Sequence, residues 1–172
     1  MKRTGLLAMA VAAATMAGAL GAGPAGAAGG TTCAKPSGTI TISPGLTTKA
    51  TVQTISVVLP LKACVGGGVT SGSSKGSIKT TAISISTFAG GKPVSFVDTI
   101  TWNNKKTTTL TASATTKIGA KGSITAAIKG KVTKGLFVGS NVSTNVNVKL
   151  GPLVKNAIKN LIITGTTSFV IK

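Results

Sequence analysis

The chain has no histidine and no tyrosine, and its single acidic side chain is Asp98. Each absence closes off a kind of chemistry. General acid–base catalysis needs groups that gain and lose a proton near the working pH. A glycosidase draws on two carboxylates, and a serine or cysteine hydrolase on a base beside its nucleophile. Zinc, calcium and magnesium centres take His, Cys or several carboxylates. None of these sets can be assembled here. A lysine-activated serine is the one formal route left, and nothing marks a particular Ser–Lys pair. The expectation is a protein that is not an enzyme, with no catalytic residue, metal site or cofactor. Aromatics are scarce as well, one Trp and four Phe, so the stacking platforms of nucleic-acid and carbohydrate readers are in short supply.

The N-terminus reads as a leader. Lys2 and Arg3 precede a run of apolar and small residues from Leu6 to Leu20. Ala25-Gly26-Ala27 then puts Ala25 and Ala27 at the two positions a signal peptidase reads, which places the cut after Ala27. The apolar run is shorter than the ~20 residues a spanning helix needs. No cysteine at the cut invites a lipid, and no later stretch is apolar enough to span a bilayer. The reading is a signal peptide over 1–27 and one domain over 28–172, secreted or associated with the cell wall, with no transmembrane segment after signal removal.

Nineteen cationic residues face the one acid, a formal charge of +18, and losing Lys2 and Arg3 with the leader leaves only lysines and about +16. Such a chain is drawn to polyanions in a salt-dependent way. Export excludes intracellular nucleic acid, and sequence-reading modules lean on Arg and stacking aromatics, so no specific nucleic-acid partner is expected. The expected partners are anionic cell-wall polymers or anionic lipid surfaces. Candidate contacts are Lys129, Lys131 and Lys134, with Lys105 and Lys106. The competing reading is that lysines keep a β-rich surface soluble and block edge pairing. A binder gathers them on one face; a solubility device scatters them.

Cys33 and Cys64 are the only cysteines. An even count outside the cell reads as a disulfide, and closing a loop of about thirty residues is worth roughly 3 to 4 kcal/mol on the chain-entropy account. The pair lacks C-x-x-C spacing and any histidine to complete a metal set.

Period-two alternation of Thr, Ser, Val and Ile dominates the rest, broken by Gly, Pro and Asn. The first run carries Ile40 and Ile42 and stops at Pro44-Gly45; the second carries Ile55, Val57 and Leu59 on one face. From Gly76 to Thr87 the phase changes between Ile78 and Ile83, which predicts a β-bulge near Thr80 or Thr81. Val94, Phe96, Ile100 and Trp102 share a face, as do Leu110, Ala112 and Ala114, and Asn103-Asn104 between them predicts a hairpin. Ile124, Ala126 and Ile128 alternate with outward lysines; Val138, Val142, Val146, Val148 and Leu150 form the clearest alternation with polar residues; a last strand buries Ile163, Phe169 and Ile171. About eight or nine short strands with glycine-rich turns predict an all-β fold, a single β-sandwich of immunoglobulin-like or Greek-key type. Leu153, Ala157 and Leu161 fall at helical spacing with Pro152 at a first-turn position, which predicts a short helix near 152–160.

Three further motifs bear on function. Asp98 shares its phase with Phe96 and Ile100, and reads as a partly buried acid paired to a lysine or capping a bulge rather than as a ligand-binding carboxylate. Trp102 reads as a core cap rather than a sugar platform. Gly66-Gly67-Gly68 has no Lys-Ser/Thr after it and reads as a loop, not a phosphate cradle.

The stretches Gly38-Thr39-Ile40-Thr41-Ile42-Ser43-Pro44-Gly45-Leu46-Thr47, Cys64-Val65-Gly66-Gly67-Gly68-Val69-Thr70-Ser71, Gly135-Leu136-Phe137-Val138-Gly139 and Gly165-Thr166-Thr167-Ser168-Phe169-Val170-Ile171 resemble those of small secreted β-sandwich proteins from high-GC Gram-positive bacteria (actinobacteria). The resemblance implies a secreted β-sandwich and supplies no activity or site residue. Members of that group often carry a further cysteine in the C-terminal third, which is missing here. Taken together, the expectation is a cationic binding protein of the cell envelope. A structural or adhesive envelope component and a secreted cationic toxin or inhibitor are the alternatives.

Overall fold

A computed structural model describes residues 29–119 and 123–172. The leader, with the cleavage positions Ala25 and Ala27, lies outside the described residues. The strands are β1 (Thr31–Cys33), β2 (Ser37–Leu46), β3 (Thr51–Leu61), β4 (Gly72–Ile83), β5 (Val94–Trp102), β6 (Thr107–Ile118), β7 (Ile124–Gly135), β8 (Asn141–Leu150), β9 (Leu153–Val154), β10 (Ala157–Gly165) and β11 (Phe169–Ile171), with one helix, α1 (Ile85–Ala89).

The expected all-β architecture forms, but it is a barrel, not a sandwich. β2 to β8 follow one another as an antiparallel meander, and β10 pairs with β8 on one side and β2 on the other, closing eight strands into a ring. Greek-key crossovers are absent from this ring. Period-two alternation could not tell the two architectures apart, because a sandwich and a closed barrel both put every second residue inside. The decision lies with β10, whose backbone groups are shared between two partners. Closure also removes most of the free edges that the lysines were expected to guard.

The expected inward sets hold except at Val138, which precedes β8, and Leu150, at its end, both of which are exposed. Ile42, Ile55, Leu59, Ile100, Leu110, Ala112, Ile124, Ala126, Val146, Val148 and Ile163 are buried, while Thr, Ser, Asn and Lys alternate with them on the outside. Apolar inside and polar outside is the reverse of a barrel that spans a bilayer. Among the described residues no helix is long and apolar enough to cross a membrane.

The bulge lies where the phase change put it: Thr54 pairs with Lys79 and Val52 with Ala82, so Gln53 opposes both Thr80 and Thr81. Gln53 is fully buried and staples a second irregularity. Its Oε1 accepts from Gly45 N–H at 2.9 Å and its Nε2 donates to Gly45 C=O at 3.1 Å. β2 therefore runs past Pro44-Gly45 instead of stopping there, because Gln53 satisfies backbone groups that the ladder leaves unpaired.

The expected helix near 152–160 does not form. Lys155 and Asn156 both have positive φ, 50° and 61°, and Val154 pairs with Ala157. This is a two-residue hairpin turn with two left-handed central residues, the geometry that matches strand twist. Tertiary pairing of β10 overrides the helical spacing of Leu153, Ala157 and Leu161. A helix does form at Ile85–Ala89, inside a run read as strand, and the Ser84 hydroxyl caps it by accepting from Thr87 N–H at 3.2 Å. The Asn103-Asn104 hairpin is present, with the positive φ on Lys105.

Candidate functional site

The two ends of the barrel are built differently. At the lower end, Cys33 and Cys64 are bonded, tying β1 to the β3–β4 loop. Trp102 is buried, meets Phe137 edge to face at 5.7 Å, and donates from Nε1 to Thr108 Oγ1 at 2.8 Å. It is therefore a core cap, unavailable to stack on a sugar. Gly66, Gly67 and Gly68 all have positive φ, and a Cβ on Gly67 would sit 2.1 Å from the Phe137 ring. Gly67 thus serves close packing under this plug.

The middle of the barrel is not filled. A cavity of about 120 Å³ lies among side chains of every ring strand, bounded above by Phe88 of α1. Its walls are almost wholly apolar, with Ile55, Val57, Phe96, Leu110, Ile128 and Val146 prominent. The space exists because small residues occupy inward positions where large ones would meet: Ser74 and Gly76 on β4, Ala114 on β6 and Ala126 on β7. Cavities of about 150 Å³ with such walls stay dry and admit benzene.

The few polar groups that reach the cavity are already engaged. Thr116 Oγ1 donates to Phe88 C=O. Thr144 Oγ1 donates to Thr167 C=O at 3.4 Å. Ser74 Oγ donates to Asp98 Oδ2, and Thr99 N–H donates to Asp98 Oδ1 at 2.7 Å. Asp98 is thus buried inside the barrel with hydroxyl and amide partners. The lysine partner anticipated for it is not there: among the described residues none is ion-paired to it. Burial pushes its carboxyl above the ordinary value of 3.8, and the bonds from Ser74 and Thr99 pull the other way.

Among the described residues the longest unpaired stretch of the barrel wall lies between β4 and β5. β4 and β5 are hydrogen-bonded only from Gly72↔Trp102 up to Gly76↔Asp98. Above that point β4 continues against β3 to Ile83, and β5 continues against β6 to Val94, with no pairing between them. Asp98 sits at the base of this split. The chain bridges it overhead through α1.

The lysines expected to contact a polyanion are exposed, and the structure brings them only partly together. Lys129 and Lys131 share the outer face of β7, Lys134 follows below a register shift, and Lys105 and Lys106 lie at the β5–β6 turn. Other exposed lysines stand on β4 (Lys75, Lys79), β6 (Lys117), β8 (Lys149) and β10 (Lys159), and at both ends. They are spread over β4, β6, β7, β8 and β10 rather than gathered on one face, and β2, β3 and β5 carry none. No protein-family model, curated protein or solved structure matches the chain.

Proposed function

We propose that this protein is an exported, non-enzymatic carrier or binder of a small apolar molecule, held inside the barrel. One observation carries the reading: an eight-stranded ring with a polar exterior keeps an apolar cavity of about 120 Å³ at its centre. A cavity of that size forgoes packing worth about 3 kcal/mol at ~24 cal/mol per Å³. A disulfide-tied lower end and a loosely closed upper end fit a container better than a structural block. The leader-like N-terminus supports export, and outside the cytoplasm a poorly soluble ligand needs a carrier. The absence of histidine and the enclosure of the lone carboxylate between Ser74 and Thr99 favour binding over turnover.

The test is calorimetric titration of the oxidised protein with 1-octanol and with toluene. Saturable one-site binding that is insensitive to salt and carries a negative heat-capacity change supports the reading. No binding of either at millimolar concentration overturns it. A second reading, an envelope protein that binds anionic polymers or lipid surfaces, is carried by the charge of about +16 alone. It predicts retention on cell walls that requires the polymer and weakens steeply with salt.

A further inference from the structure

The split in the wall and the chemistry beside it deepen the proposed reading, on which this inference rests. Beside the unpaired halves of β4 and β5 lies a second cleft of about 330 Å³. Ile78, Phe88 and Val94 line both this cleft and the interior cavity, so the two spaces meet at those three apolar side chains. The cleft differs from the interior in carrying cationic residues: Lys79 from β4 and Lys92 from the α1–β5 connection line it, together with Thr80, Thr81, Thr87 and Ser95. The single acid, Asp98, lines only the inner space.

The geometry points to the β4–β5 split as the entrance for a single-chain amphiphile with an anionic head group. The hydrocarbon chain passes between Ile78, Phe88 and Val94 into the barrel, and the head group stays in the cleft on Lys79 and Lys92. An apolar interior joined to a cationic vestibule matches such a molecule end to end. A neutral hydrocarbon leaves the lysines unused, and a cationic amphiphile meets two like charges on the way in. A carboxylate and a phosphate share the chemistry that the lysines recognise, as charge-assisted acceptors. Phe88 is held at the constriction because its own carbonyl accepts from Thr116 of β6. Nothing comparable ties upper β5 to upper β4, so the wall parts there more easily than anywhere else in the ring.

The test compares octanoate, octyl phosphate and 1-octanol, which share a chain and differ in head group, on the wild type and on Lys79→Gln/Lys92→Gln. Both lysines are exposed, so the double variant keeps the fold, and its binding of 1-octanol verifies that directly. The expected result is that the two anions bind the wild type at least about tenfold more tightly than the alcohol, in keeping with hydrogen bonds to charged groups. The double variant should erase that preference and leave 1-octanol unchanged. A preference for octanoate over octyl phosphate, or the reverse, identifies the head group. If all three bind equally and the double variant changes none of them, the entrance and head-group assignment is overturned while the apolar-container reading stands. If none binds, both fall.

Discussion

Filling the barrel tests the container reading most directly, and Ala114→Leu is the substitution to make. Ala114 points inward from β6, pairs with Val94 and Ile128, and lines the cavity. Leucine adds three carbons. At ~0.8 kcal/mol per buried methylene the gain is about 2.4 kcal/mol. Ordering the longer side chain takes back roughly 0.5 to 1 kcal/mol. The net expectation is a stabilisation of about 1.5 kcal/mol, a rise in Tm of roughly 5 °C for a domain of this size. It remains below the ~3 kcal/mol that the whole empty volume represents. The same substitution occupies the ligand's place, so affinity for 1-octanol should fall at least about tenfold. Urea denaturation and calorimetric titration on one preparation give both readings. A loss of 1 kcal/mol or more, the range of overpacking, would show that the interior is already full. Gained stability with undiminished octanol binding would put the ligand elsewhere.

Three further predictions concern single features. Because burial holds the folded-state pKa of Asp98 above 3.8, the folded protein keeps this proton where the unfolded chain releases it. Stability should therefore decline as pH rises from 3.8 through the folded-state pKa and then level off. With no histidine and no other acidic side chain, Asp98→Asn should flatten the curve of urea midpoint against pH, and parallel curves for the two proteins would refute the argument. Gln53→Met keeps the side-chain volume but strands the buried N–H and C=O of Gly45. It should cost about 2 to 4 kcal/mol, and a loss under 0.5 kcal/mol in denaturant unfolding would show that those groups find other partners. Lys155→Asn/Asn156→Gly suits a turn whose two central residues have positive φ and should add roughly 0.5 to 1 kcal/mol. A helix over the same residues would instead be weakened by glycine, so the sign of the change in Tm decides between the two.

Local alternation was enough for the strands themselves. The inward residues of β3, β5, β6 and β7 could be named from sequence because branched and aromatic side chains at every second position have only one face on which to hide. The bulge at Thr80–Thr81 was readable for the same reason, since an extra residue is the only way to swap faces within a continuous strand. So were the pairing of Cys33 with Cys64 and the burial of Trp102. The helical spacing after Pro152 misled because it ignored what β10 must pair with on both sides. The helix at Ile85–Ala89 had a usable signal in Ser84, masked by the isoleucines around it.

The candidate site was visible only in pieces. Ser74, Gly76, Ala114 and Ala126 sit at inward positions, and small residues there are a sign of unfilled space once the barrel is known. Within a sandwich the same residues would be covered by the facing sheet. Sequence by itself determined composition, charge, strand phase and the scarcity of catalytic groups, since each depends on residue identity or on neighbours two positions apart. Tertiary structure decided that the sheet closes through β10, that Asp98 is enclosed with Ser74, and that β4 and β5 part above Gly76. Those outcomes depend on which strands meet across the ring, and residues as distant as Ile40 and Leu161 become neighbours only when the last long strand closes it.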